Sequence, residues 1–255
     1  MKDESLMKAR SVYYNLFSKL FVYQENIEIY LELIKIIKIL EENPLDNPSK
    51  DALGRILNDL DPSSNVKLTE EFNDIFYSPD SKTIRTTASF YDEGMESGKK
   101  RVEMQQFLAK TKIRRNEESF TEYEDSFPFI VTILGELNEQ IINGEEQYKN
   151  TQHCIFEQIL NEFVDDFSKN VYEHEKSYLF KDVIIVLKSF IAFERLYLNV
   201  SKPKPKEISK VDNKSCEFIP EEEVQRRAEN RAKRESSQED LSCDLDISFD
   251  VETDI

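Results

Sequence analysis

Apolar residues recur at three- and four-residue spacing along most of residues 1–200, the pattern of amphipathic helices that bury one face. Tyr13, Leu16, Phe17, Leu20 and Phe21 form a first stripe, with Asp3 to Ser5 as its cap. A second helix is expected over roughly Asn26 to Glu42, ending before Pro44. A third, capped by Ser49 or Asp51, carries Ala52, Leu53, Ile56, Leu57 and Leu60. The fourth places Leu68, Phe72, Ile75 and Phe76 on one face, and Pro79 then breaks the pattern. A long polar loop follows and ends in Ser89, Phe90 and Tyr91. Helical spacing resumes around Ser97 to Lys112 and lapses through "RRNEESFTEYED". It returns with Pro128 in a first turn, ahead of Ile130, Ile133, Leu134 and Leu137. Two more long helices are expected over Glu145 to Phe167 and Tyr178 to Leu198. The fold class that follows is all-α, a single helical bundle.

Composition supports this reading. Five Gly and 8 Pro among 255 residues, with 33% charged residues, favour helices over tight β turns. From Ser201 the chain changes character. "SKPKPKEISKVDNKS" reads as a Pro/Lys linker, and the remainder is poor in apolar residues and reads as a disordered tail. The expected organisation is therefore a helical domain over residues 1–200 and a linker with a charged tail over 201–255. The formal net charge of −17 disfavours nucleic acid and anionic membrane surfaces as partners and would draw in a basic peptide, and on charge alone it reads more simply as a means of keeping the chain soluble. Cys154, Cys216 and Cys243 are scattered and few, which fits a reducing cytosol. The N-terminus lacks the apolar run of a signal peptide, and no apolar stretch reaches spanning length. The expected location is the cytoplasm, without membrane insertion.

The search for catalytic chemistry mostly excludes. The two histidines, His153 and His174, sit in no metal-protease motif and have Asn150 and Val171 three residues before them, so a Glu-x-x-His di-iron site is not built. His153 and Glu157 are one turn apart, a spacing typical of a surface hydrogen bond. "GMESGKK" has three residues between its glycines where a phosphate loop has four, and no Ser or Thr after the lysine. No metal or cofactor is expected. The acids Glu122, Glu124 and Asp125 are a candidate carboxylate cluster, and such clusters at helix starts also complement the helix dipole.

Two stretches taken together carry a family resemblance. One is "EFNDIFYSPDSKTIRTTASFY", Glu71 to Tyr91. The other is "EYEDS", Glu122 to Ser126, at the start of an apolar helix. The arrangement resembles the TorD/DmsD family of molybdoenzyme maturation chaperones over roughly residues 8–200. In that family a helix ends in a Leu-Phe-x-x-Pro-like segment, a loop leads to Ser-x-Tyr, and Glu-Pro-x-Asp-His opens a later helix. Here Tyr123 stands at the family's Pro and Ser126 at its His, while Glu122 and Asp125 match.

The resemblance implies a TorD-type helical domain that is not an enzyme. It implies a cytoplasmic chaperone holding the twin-arginine signal peptide, or the apoprotein, of a molybdenum-containing oxidoreductase such as formate dehydrogenase until its cofactor is inserted. The partners would be the molybdoenzyme catalytic subunit and that peptide. On this reading Glu122, Asp125 and Glu124 pair with guanidinium groups, and Ser89, Phe90, Tyr91, Phe127 and Phe129 line an apolar groove beside them. The loop aromatics read equally well as core anchors. The chain would be a monomer or a helix-swapped dimer. The alternatives are a helical adaptor or scaffold, and a hydrolase using Glu122 and Asp125. The basic run Arg226 to Arg234 is a further candidate, able to fold back and compete with a client.

Overall fold

The computed structural model of the chain describes residues 2–116 and 120–203, with the side chains of residues 2 and 3 left out. Residues 1–203 form one compact unit. The expectations for residues 204–255, the basic run and the distal cysteines included, lie outside the described residues.

The apolar stripes become helices. In order these are α1 (Lys2–Leu20), α2 (Ile27–Glu42), α3 (Asn47–Asp59), α4 (Val66–Phe76), α5 (Ala88–Glu93), α6 (Lys99–Ala109), α7 (Phe127–Ile142), α8 (Lys149–Ile155), α9 (Asn161–Glu173) and α10 (Leu179–Tyr197). The main packing runs α1 against α7, α10 against α3 and α9, and α2 against α1 and α3. The α1–α7 approach is close because position 135 is glycine. A Cβ there would meet the Tyr14 Cβ at 2.9 Å. The core is aromatic where the middle of the chain meets both ends. Phe127 stacks on Phe167 with centroids 4.7 Å apart, and Phe21 meets both of them and Phe76 and Phe180. Fully burying rings of this size is the main driving force available to a bundle.

A polar cluster lies inside this core. Arg10, 2% exposed, donates from Nε and Nη2 to the two carboxylate oxygens of Glu194 at 2.6 and 2.7 Å, and from Nη1 to Asn138 Oδ1 at 2.7 Å. Tyr14 donates its hydroxyl to Glu194 at 2.7 Å, and the Tyr197 ring lies 4.0 Å from the guanidinium carbon. Asn138 in turn donates to the Met7 carbonyl and to Ser11. The cluster joins α1, α7 and α10. Burial works against the Arg10 charge, but the hydrogen-bonded Glu194 carboxylate outweighs it and holds the guanidinium above its ordinary pKa.

Several local expectations are corrected. Helix α1 already begins at Lys2, ahead of the expected cap at Asp3 to Ser5. The cap of α3 is Asp46, whose Oδ1 accepts from the Ser49 N–H at 2.7 Å, with Pro48 in the first turn; Ser49 and Asp51 lie inside the helix. The stretch expected as one helix over 145–167 opens with a 3-10 turn at Glu146–Tyr148. It carries a π segment at Phe156–Leu160 and runs on to Glu173. The loop end at Ser89 to Tyr91 is helical, in α5.

Candidate functional site

Helix α4 ends where its side chains change from apolar to polar. Tyr77 and Ser78 donate their N–H groups back to Asn73 O, and the loop is then strapped to the helix by Ile84 N–H on Ile75 O at 2.9 Å and Ser81 Oγ on Asp74 O. This strapping turns residues 84–87 towards the start of α7. There the two motif stretches join. Phe127 donates its N–H to Thr86 O and Ala88 donates to Asp125 O, both at 2.8 Å, around an isolated antiparallel bridge between Thr87 and Ser126. Segments 36 or more residues apart in sequence therefore form one unit.

Three neighbouring acids have three different fates in this unit. Asp125 is fully buried. Its Oδ2 accepts from the Ser89 N–H at 2.8 Å and so caps α5, while its Oδ1 receives no hydrogen bond. Burial pushes its pKa up, and the bonds from Ser89 offset this only in part. Glu124 is 8% exposed and held by internal cations. Arg101 Nε donates to it at 2.7 Å, Gln105 donates at 3.1 Å, and Arg115 Nε lies 3.7 Å away. Burial raises its pKa, but Arg101 more than reverses this and holds the carboxyl below its usual range. Glu122 is half-buried. Its carboxylate accepts from two hydroxyls, Tyr77 OH at 2.9 Å and Thr86 Oγ1 at 3.0 Å, and among the described residues no cation pairs with that carboxylate, although Arg115 Nη1 donates to the Glu122 backbone carbonyl at 2.6 Å.

Glu122 faces a pocket of about 270 Å³ between the end of α4, residues 84–87 and residues 121–123. Phe21, Phe72, Phe76 and Ile84 make its apolar floor, and Tyr77 and Tyr123, both exposed, stand at its sides. A second carboxylate, Glu96, lines it too. Thr87 Oγ1 donates to Glu96 Oε2 at 2.9 Å, and Arg85 Nε lies 3.2 Å from Oε1. Tyr77 has its pKa raised, by burial first and then by Glu122. An apolar floor rimmed by incompletely paired carboxylates and tyrosines can hold a cationic group with an apolar neighbour.

The other residues expected at the site are placed differently. Ser89 is buried, and its hydroxyl accepts from the Arg101 N–H. Phe127 is a core residue at 0% exposure and Phe129 is buried against Phe120, because both fall on the inward face of α7. Neither ring is presented as a groove wall. Tyr91 packs on Phe163 and donates its hydroxyl to Arg85 O, which makes it an anchor of the loop. Phe90 is exposed and does not line the pocket. Tyr77, Glu96, Tyr123, Thr86 and Thr87 were not expected at the site. Tyr77 directly follows the α4 stripe, a hint that an aromatic outside the helical register has a different use.

"GMESGKK" has a plain structural role. Gly94 takes φ +74 to end α5, and the Glu93 carboxylate accepts the Lys99 N–H at 2.8 Å, so the start of α6 already holds an anion of the chain's own. Among the described residues no group of three His, Cys, Asp or Glu side chains is arranged to hold a metal, and no helix is long and apolar enough to cross a membrane.

Comparison with known proteins gives a family match and one solved structure. Residues 42–169 match the sequence profile of the family described as nitrate reductase delta subunit, a range that contains both motif stretches and the pocket they form except for Phe21. The crystal structure of a candidate redox enzyme maturation protein from Archaeoglobus fulgidus is 17% identical. It aligns over 72% of this chain and 93% of its own with a TM-score of 0.46. No curated protein is significantly similar in sequence. The molecule is thus an all-α bundle whose two motif loops meet at one pocket. The chain belongs to the nitrate reductase delta subunit family, the TorD-type chaperones of molybdoenzymes. The family implies a molybdoenzyme subunit as partner. It is a chaperone and not an enzyme, which removes the hydrolase reading of Glu122 and Asp125. The buried, hydrogen-bonded setting of Asp125 agrees.

Proposed function

We propose that the chain binds an arginine-bearing, apolar segment of its client, the twin-arginine signal peptide of a molybdenum-containing oxidoreductase, in the pocket beside Glu122. The observation that carries this reading is the contrast among the three acids. Glu124 and Asp125 are committed to internal partners, whereas Glu122 faces an aromatic-floored pocket with hydroxyl donors alone. A guanidinium suits that pocket because it supplies a paired set of N–H donors to a carboxylate and stacks on tyrosine. The apolar run after the arginines would lie over Phe72, Phe76 and Ile84. The net charge of −17 speeds the encounter and makes it salt-sensitive. The helical body, residues 1–200, is the binding unit, acting in the cytoplasm on apoprotein before export.

Calorimetric titration with twin-arginine signal peptides, a formate dehydrogenase peptide first, tests this. Wild type binds, a Lys-Lys version binds less well, and Glu122→Gln loses about tenfold or more in affinity, the scale of a charge-assisted hydrogen bond. Equal binding of the Arg-Arg and Lys-Lys peptides at low and high salt would sink the reading.

A further inference from the structure

The second carboxylate of the pocket, Glu96, is already half-occupied, and its occupant is a guanidinium from the same chain. Arg85 lies on the loop that forms one side of the pocket, and its Nε is 3.2 Å from Glu96 Oε1. That oxygen is shielded from solvent yet receives no hydrogen bond, so the contact is an ion pair without a directed bond. The other oxygen, Oε2, has its donor in Thr87. Glu122 lines the same cavity with both carboxylate oxygens on hydroxyls, and the nearby Arg115 guanidinium bonds its backbone carbonyl and not its carboxylate.

We infer that Glu96 is a second guanidinium seat of the pocket, and that Arg85 is an internal stand-in which a client arginine displaces. This rests on the peptide-binding reading above. Three physical points support it. A buried carboxylate oxygen without a donor gains when an N–H arrives in good geometry, which Arg85 does not provide at this site. The Arg85 side chain is 54% exposed, so releasing it to water costs little, as is usual for surface ion pairs. Because Arg85 is tethered, it competes at high local concentration, and a weakly pairing cation such as a lone lysine does not dislodge it. Arg85 therefore protects Glu96 in the empty chaperone and restricts the pocket to ligands that bring an arginine for each carboxylate.

The test is peptide affinity, measured by fluorescence anisotropy with a labelled Arg-Arg signal peptide, for wild type, Arg85→Gln, Glu96→Gln and the double variant. Removing the competitor should tighten binding about threefold, the scale of an exposed ion pair. Removing the seat should weaken it about tenfold. In the Glu96→Gln background, Arg85→Gln should have no further effect, a coupling that a merely structural role for Arg85 would not produce. Thermal melts of the four proteins identify any loss of folding. If wild type binds and Arg85→Gln binds equally or more weakly, the stand-in is overturned and the peptide-binding reading stands. If only the Arg85→Gln protein binds, Arg85 is a full block and the inference is strengthened. If no variant binds any arginine peptide, both fall.

Discussion

The Arg10 cluster and the pocket below α4 treat charge in opposite ways. Around Arg10 every strong donor meets a strong acceptor: Glu194 takes two guanidinium bonds and a tyrosine hydroxyl, and Arg10, Tyr14 and Glu194 are all buried. At the pocket below α4, Glu122 has hydroxyls only and one oxygen of Glu96 has no hydrogen bond at all. The first arrangement leaves nothing to offer a ligand and ties three helices in register. The second forgoes some internal pairing and keeps binding capacity at the surface. The stabilising cluster and the proposed recognition pocket are thus separate in the fold, and the family's two motif stretches border only the pocket.

The sharpest break of this contrast is at Arg10. Arg10→Met leaves Glu194 as an uncompensated buried charge and should cost about 3–5 kcal/mol in urea unfolding. Pairing it with Glu194→Leu should recover much of that loss, and a single-variant cost below about 1 kcal/mol would show that the cluster is not sealed. Glu71 comes next. Its carboxylate accepts the N–H groups of Tyr178, Leu179 and Phe180 and so caps α10 across the core. Glu71→Ala should cost about 2 kcal/mol without changing peptide affinity. The acidic pair beside the pocket gives a smaller, signed effect. Glu124, with its pKa lowered, stabilises above the ordinary carboxylate range and loses that contribution as pH falls through its folded value. Asp125, with its pKa raised by burial, is penalised while charged, and that penalty is relieved as pH falls. Urea midpoints across the acid limb should therefore decline less steeply in Glu124→Gln and more steeply in Asp125→Asn than in wild type. Smallest of all is the stability effect of Glu122→Gln, within about 0.5 kcal/mol, even though its peptide affinity collapses. A large stability loss there would place Glu122 with the structural acids.

Much of the bundle was legible because helix stripes are local. Phe72, Ile75 and Phe76 announce α4, Pro79 its end and Pro128 the first turn of α7. Helix α5 was not legible, since six residues are too short for a period and its start is capped from 36 positions away by Asp125. The π segment was hidden for a different reason. The apolar stripe continues through Phe156, Ile159 and Leu160, and the segment shows in the backbone, where Lys100 bonds the Gln158 carbonyl. Of the residues expected by motif, Glu122 lines the pocket and Phe90 does not. Phe127 and Phe129 were misplaced because a helix start rich in aromatics does not reveal which face turns inward.

The sequence by itself determined the all-α class, the helix stripes, the break at Pro79 and the two stretches that identify the family, all of which depend on neighbours within a turn or on short motifs. Only the tertiary structure decided which carboxylates remain available. That outcome depends on partners 9 to 184 residues apart, as in Thr87 with Glu96, Arg101 with Glu124, Ser89 with Asp125 and Arg10 with Glu194. A carboxylate looks the same in sequence whether it caps a helix, meets an arginine or waits in a pocket. Its chemistry is set by the donors and the solvent exclusion that folding brings around it.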